Sequence, residues 1–208
     1  ESRVRYEGVE TPSLDADAVT VRLRAGAEVQ HRSGLSLLAE AEGSLAVVDQ
    51  YNAFPFAIAD SQRRTAHAVV ADPMNVELNR LQLQYKGRTT TLTLGRQRIN
   101  LDDQRWVGSV NWRQNDQTFD AARATLKPVK DLTIDYFYAW RVNRVFGSDS
   151  PQGIWRNTAI HSLRAAYPVR NLGTVSVYGL WVDVPASPAG SSQTVGVRIA
   201  GERKAGGK

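Results

Sequence analysis

Residues 19–30 alternate without a break. Val19, Val21, Leu23, Ala25, Ala27 and Val29 occupy one parity, and Thr20, Arg22, Arg24, Gly26, Glu28 and Gln30 the other. Successive side chains of a strand point to opposite faces, so this stretch has one apolar face and one polar, charged face. A helix would mix the two sets around its circumference. The same period recurs along the chain. Leu35, Leu37, Ala39, Ala41, Leu45 and Val47 oppose Ser36, Glu40, Glu42 and Ser44, with Leu38 and Val48 as exceptions. Leu81, Leu83 and Tyr85 alternate with Arg80, Gln82 and Gln84, and Leu92 and Leu94 with Thr91 and Thr93. Ile134, Tyr136, Tyr138, Trp140 and Val142 alternate with Thr133, Asp135, Phe137, Arg141 and Asn143. Val175, Val177 and Trp181 oppose Ser176 and Tyr178, and Val195, Val197 and Ile199 oppose Arg198 and Glu202. With weaker stretches over 3–9, 119–127 and 158–167, the pattern predicts ten strands.

Two features of these strands point the same way. Several stretches reach ten residues or more, whereas soluble strands average about 5–6 and membrane-spanning ones need about 9–11. The predicted connections also alternate in length: 31–34, 86–88, 127–131 and 168–173 are short, while 10–17, 50–75, 100–117, 144–157 and 184–192 are long. Short turns on one rim and long loops on the other describe an up-and-down barrel in an outer membrane, and a Greek-key sandwich lacks that regularity. The expected fold is therefore all-β, an antiparallel up-and-down transmembrane β-barrel. The long loops are not low-complexity linkers; the second carries Tyr51, Phe54, Phe56, Arg63 and Arg64.

Charge decides which face is which. Arg3, Arg5, Arg22, Arg24, Arg80, Arg123, Arg141, Arg164 and Arg198 share the polar parity with Glu7, Glu28, Glu40, Glu42, Asp135 and Glu202. Unpaired charges in a dry core cost several kcal/mol each, so this face must be wet. A wet, Arg-rich face behind an apolar one is a hydrophilic lumen inside lipid. Guanidinium forks match carboxylates in two parallel hydrogen bonds, so such a lumen favours anionic solutes. Cross-strand Arg–acid pairing is the plainer reading of any single arginine. Tyr136, Tyr138, Trp140, Tyr167 and Trp181 lie on the apolar parity, as interfacial girdles would.

Composition narrows the chemistry. Lys and Arg number 26 against 21 Asp and Glu, a formal net charge of +5. There is no cysteine, hence no disulfide, thiolate metal site, iron–sulfur cluster or cysteine nucleophile. His31, His67 and His161 are scattered. The mean hydropathy is −0.37, and no apolar run is long enough for a membrane helix. No Gly-x-Ser-x-Gly and no P-loop occurs, and Glu40 with Glu42, spaced as a carboxylate pair, face arginines on the next strand. An enzyme is not expected. Nucleic acid is a poor partner, because the arginines are dispersed strand by strand. The competing reading is a soluble secreted β-barrel or sandwich that binds a ligand with its apolar faces inside; a β-built lyase or hydrolase ranks third.

Several motifs resemble one family. Leu94-Gly95-Arg96-Gln97-Arg98-Ile99 precedes Arg105-Trp106-Val107-Gly108, followed by the run from Asn111 to Asp120 and by Val142-Asn143-Arg144-Val145-Phe146-Gly147. Together with Arg3-Val4-Arg5-Tyr6-Glu7 and Val21-Arg22-Leu23-Arg24-Ala25-Gly26, these resemble the alginate-export-like family of Gram-negative outer-membrane β-barrels. The resemblance spans residues 3 to about 200, with 95–120 its specific part. It implies a larger barrel, of about eighteen strands, in the bacterial outer membrane, conducting an acidic polysaccharide or uronate oligomers through an Arg-rich lumen. With ten strands and a tail, 201–208, that looks like a turn awaiting another strand, residues 1–208 are expected to form a single barrel domain incomplete at its C-terminus. Expected partners are outer-membrane lipid and an anionic cargo.

The candidate lumen residues are Arg22, Arg24, Arg80, Arg123, Arg141, Arg164 and Arg198. The loop 100–117 is expected to fold into the lumen as a constriction carrying Arg105, Trp106, Arg113 and Gln114, with Trp106 or Trp112 stacking on a sugar ring or anchoring the loop. Arg96 and Arg98 have lipid-facing parity, and a bulge at Gly95 is expected to turn them inward. No cofactor is expected; Asp102 and Asp103 offer at most a weak loop site for a divalent cation.

Overall fold

The computed structural model describes residues 1–53 and 60–201. Phe54, Phe56, Glu202 and the turn expected beyond Gly201 lie outside them. Ten strands form one sheet: β1 (Ser2–Val9), β2 (Ala16–Gln30), β3 (Leu35–Gln50), β4 (Asn75–Lys86), β5 (Thr90–Gln97), β6 (Thr118–Leu126), β7 (Thr133–Asn143), β8 (Ile154–Val169), β9 (Gly173–Asp183) and β10 (Ser192–Ala200). Each pairs antiparallel with the next in chain order. Among the described residues β1 and β10 are the edges. The short connections all leave one end of the sheet and the long ones the other, as the sequence pattern predicts. Among the described residues no helix is long and apolar enough to cross a membrane, and the only helical turns are Asp60–Gln62 and Pro188–Gly190.

The two faces separate cleanly on β2. Arg22 is fully buried and Thr20 and Arg24 nearly so, while their neighbour Leu23 is 62% exposed. Leu37, Leu45, Leu81, Leu83, Leu92, Leu94, Val177 and Val195 are likewise exposed on the outer side of successive strands. Monomeric soluble proteins rarely leave apolar patches larger than a few hundred Å² in water. This belt runs the width of the sheet, so it is a lipid-facing surface. The soluble ligand-binding reading required the apolar parity inside, and the structure places it outside.

Three expectations need correction. First, β8 begins at Ile154, not near residue 158. Asn157 has φ 55°, and the pairing jumps from Arg141↔Arg156 to Ala139↔Ile160, so an irregularity hides the start of the strand from any search for strict alternation. Second, no bulge occurs at Gly95. Pairing runs through it in continuous register, with Gln82 on one side and Ala121 on the other. Glycine is required there because its φ is +108° and a Cβ would sit 2.3 Å from the carbonyl oxygen of Leu81. The register shifts lie elsewhere, at Val19/Thr20, Glu40/Ala41, Asp120/Ala121 and Ala139/Arg141.

Third, the inner face is not polar throughout. Phe119, Ala121, Phe137, Ala139, Ile160 and Leu180, from β6 to β9, form a buried apolar cluster with Val142 and with Ile99 and Val107, which lie outside the sheet between β5 and β6. A second cluster, Ala16, Ala18, Tyr51, Ala53, Ala68 and Val70, seats the β3–β4 connection on the start of β2. The inner face near the long loops is therefore filled, whereas Glu28 and Gln30, near the short turns, are exposed.

A charge on the outer face tests this assignment. Leu94→Arg should cost about 2–4 kcal/mol in urea unfolding of the protein in lipid vesicles if it lies near the midplane. Gln84→Arg, on the inner face one strand away, should stay within about 1 kcal/mol of the parent. The reverse order would mean that the faces are inverted.

Candidate functional site: a loop folded across the polar face

Between β5 and β6 the chain crosses the concave side of the sheet, as expected for 100–117. Its apolar residues explain why. Ile99 and Val107 are buried against Phe119, Phe137 and their neighbours, and burial of side chains this size contributes about 1.5–3 kcal/mol each. Backbone contacts close the loop on itself: Leu101 N–H donates to Val107 O at 3.1 Å, and Gln117 N–H to Ser109 O at 2.7 Å.

The loop's last residues dock on β1, β2 and β3. Gln114 is fully buried; its side-chain amide donates to Thr20 O at 2.9 Å and Thr20 Oγ1 at 2.8 Å. Asn115 accepts from Ser44 Oγ at 3.0 Å and donates to Pro73 O at 3.1 Å. Arg3 donates to Asn111 O at 2.8 Å, Arg5 to Trp112 O at 3.2 Å, and Arg22 to Arg113 O at 3.2 Å. Wall arginines thus tie the loop's backbone to β1 and β2, Arg22 from a fully buried position.

Buried charges complete this anchor. The Asp116 carboxylate is paired with both Arg24 and Arg98, and its backbone N–H donates to Glu42 Oε1 at 3.0 Å. Glu42 also pairs with Arg24. Arg98 reaches Glu40 at 3.0 Å, which binds Arg80 at 2.7 Å and Asn79 at 2.9 Å. Burial pushes the Arg98 guanidinium below its ordinary value, against the pull of Asp116. A second knot forms around Asp72, which accepts from the Gln114 N–H at 2.8 Å and from Arg5 at 2.7 Å, with Arg113 at 3.7 Å. Burial lifts the Asp72 carboxyl above its usual range, while these donors oppose the rise. Tyr51, whose hydroxyl donates to Asp72 O at 2.8 Å, is pushed up to about 12, first by burial and then by the Asp72 charge.

The first part of the loop reaches the opposite wall. Arg164 on β8 donates through its fork to Asp102, at 2.9 Å from Nε, and to Ser176 Oγ at 3.1 Å. Arg198 on β10 lies 3.8 Å from Asp102 and 3.4 Å from Asp103. One loop therefore contacts both β1 and β10, and the sheet must curl around it. Between loop and wall lies a cavity of about 300 Å³ lined by Arg105, Trp106, Ser162, Arg164, Tyr178 and Arg198, among others. Arg105 stacks on Trp106 at 5.7 Å.

The remaining sequence-predicted residues fall into place around these features. Arg22 and Arg24 lie beneath the loop, Arg22 also bound by Glu1, and not on an open wall. Arg80 is paired with Glu40, and Arg123 with Asp135 at 2.7 Å. Arg96 binds Asp120 at 2.7 Å and Leu78 O at 2.9 Å; Arg141 is 3.7 Å from the same Asp120. Arg113 stacks on Trp112 at 4.5 Å while pairing with Glu7 at 3.1 Å, and Trp112 keeps 58% of its surface exposed. Arg105, Trp106, Arg164 and Arg198 are the ones brought together at open space. Asp102 and Asp103 engage arginines, and among the described residues no group of three His, Cys, Asp or Glu is placed to hold a metal ion. The sequence reading missed Glu42, Asp72 and Asp116 as loop anchors. Phe137 on the polar parity was the available signal for the apolar seat.

A membrane sheet with short turns at one end, long loops at the other and a loop folded inside defines an outer-membrane β-barrel protein. The alginate export family profile matches residues 8–204, and the chain belongs to that family. No curated protein sequence matches it. Solved structures share its fold at low identity. OccAB1 of Acinetobacter baumannii superposes with a TM-score of 0.60 at 14% identity, over 88% of this chain and 42% of that one. OccD3 (OpdP) of Pseudomonas aeruginosa gives 0.56 at 14%, over 87% and 40%. OpdK of Pseudomonas aeruginosa, solved with vanillate, gives 0.54 at 11%, over 88% and 47%. The chain thus spans less than half the length of each of these three.

Breaking a buried pair by removing one partner costs about 3–5 kcal/mol. Asp116→Ala should free the end of the loop, and tryptic cleavage at Arg113 in the membrane-inserted protein should rise ~100-fold, the opening that about 3 kcal/mol permits. Cleavage at the parent rate would show that the cluster does not hold the loop.

Proposed function

We propose that the protein is an outer-membrane channel for small carboxylate-bearing solutes, uronates among them, with a lumen narrowed by the 98–117 loop. The observation that carries this reading is the cavity between the loop and β8–β10. Three guanidinium groups, those of Arg105, Arg164 and Arg198, meet two carboxylates there, those of Asp102 and Asp103, which leaves a local positive excess. Arg198 keeps 32% of its side chain exposed, and Trp106, 54% exposed with Arg105 over its ring, lines the same cavity, where it would pack on a sugar or aromatic ring. Membership of the alginate export family supports an acidic cargo. The buried anchor at 114–116 favours small solutes over a polymer, because a polymer would need the loop displaced.

Conduction requires sites that bind well enough to attract a solute and weakly enough to release it. Arginines already shared with carboxylates meet that condition: a passing anion exchanges partners and leaves no strongly held bare cation behind. Elsewhere the inner wall is largely neutralised, as at Arg80–Glu40 and Arg123–Asp135. Selectivity is accordingly assigned to the cavity, not to continuous rows of free arginine.

Reversal potentials across planar bilayers under a salt gradient test this. The parent should prefer chloride over potassium, and Arg105→Ala combined with Arg198→Ala should reduce that preference, most at low salt where exposed charges are least screened. Cation preference in the parent would overturn the anionic reading and leave the barrel intact.

A further inference from the structure

The loop is held by two very different attachments. Residues 114–116 are fully buried and tied by side-chain and backbone bonds to β2, β3 and the β3–β4 connection. Residues 102–106 rest on ion pairs at the edge of open space: Asp102 with Arg164 and Arg198, and Asp103, 54% exposed, with Arg198. Exposed pairs of the latter kind contribute little. The 101–107 stretch is also a closed unit, with Leu101 N–H bonded to Val107 O and Gln104 N–H to Leu101 O. Two of its residues, Asp102 and Gln104, sit at positive φ, 51° and 62°. Its base is fixed: Leu101 packs on the apolar cluster, Val107 and Ser109 are buried, and Ser109 N–H donates to Asn100 Oδ1 at 2.6 Å. The exposed tip, 102–106, can leave the wall while this base and the 114–116 anchor stay fixed.

The Asp102 contact has the shape of a ligand contact. Arg164 Nε donates to one carboxylate oxygen at 2.9 Å and Nη2 to the other, the fork-to-fork arrangement by which arginine recognises carboxylate. Arg198 approaches the same carboxylate from β10. Both arginines border the 300 Å³ cavity with Trp106 and Tyr178.

We propose that Asp102 is an internal occupant of a carboxylate-binding site formed by Arg164 and Arg198. A carboxylate solute enters by exchanging with it and releases the 102–106 tip from the wall. This rests on the anion-channel reading and adds the mechanism by which cargo displaces the loop. Tethered on a short loop, the Asp102 carboxylate competes at an effective concentration in the mM range. A free carboxylate must reach comparable concentrations to displace it, and a neutral sugar cannot displace it at all. Asp103 reinforces the occupant through Arg198.

Block of single-channel current by added glucuronate, with glucose as the neutral control, tests the proposal on the protein in planar bilayers. Asp102→Asn should lower the half-blocking concentration of glucuronate by about tenfold, because the tethered competitor is removed. Asp103→Asn, at an exposed position that tolerates change, should lower it two- to threefold, and glucose should act alike on all three proteins. If Asp102→Asn does not insert, Asp103→Asn decides alone. A parent that is anion-selective, with half-blocking concentrations unchanged or raised in the variants, would overturn the internal-occupant proposal only. A parent with no anion selectivity would overturn the anion-channel reading and this proposal together.

Discussion

The Asp116 carboxylate, buried between Arg24 of β2 and Arg98 at the end of β5, is the contact on which the architecture turns. The Arg24 guanidinium, 4% exposed, could not stay where it is without a partner, because an isolated charge removed from water costs far more than the fold could supply. With Glu42 beside Arg24 and Glu40 beside Arg98, the group becomes a closed set of opposite charges that ties three strands to the end of the loop. The loop is consequently part of the inner wall. Its placement fills the upper inner face with paired polar groups and leaves the apolar parity to face outward. That is the inside-out arrangement a sheet needs when its solvent is lipid.

This pairing changes what the arginines mean. A count of basic residues on the polar parity suggests a row of free cations. The structure spends most of them on structure: Arg3, Arg5 and Arg22 on loop carbonyls, Arg24 and Arg98 on Asp116, Arg96 on Asp120, Arg123 on Asp135. What is left for a solute is local. It lies where the loop's first half meets β8–β10, and there the wall arginines hold carboxylates of the loop itself.

The strands and the rhythm of the connections were legible in the sequence because period two is a local property. Val19 to Gln30 announces β2 without reference to any other part of the chain. The inward fold of the loop was legible from its apolar content. Its anchors were not, since Thr20 and Gln114, or Glu42 and Asp116, are joined by topology and nothing local marks them as partners. The same limit hid the register shift at Asn157, where a left-handed residue interrupts an otherwise regular strand, and misplaced a bulge at Gly95, where close approach of the Leu81 carbonyl is the reason for glycine. Phe137, Ala139 and Ile160 on the inner parity were visible as exceptions. Their sense appears only when Ile99 and Val107 are set against them.

In lipid, the 98–117 loop should lie across the inner face, docked on β2 and β3. The chain has no cysteine, so a pair introduced at Ser44 and Asn115, whose side chains meet at 3.0 Å, carries no background. Treatment of the membrane-inserted Ser44→Cys/Asn115→Cys variant with a short bis-methanethiosulfonate linker should join the two sites almost completely. Each site should be slow to react with a bulky water-soluble maleimide. Failure to link, with both cysteines labelled rapidly and independently, would contradict the account.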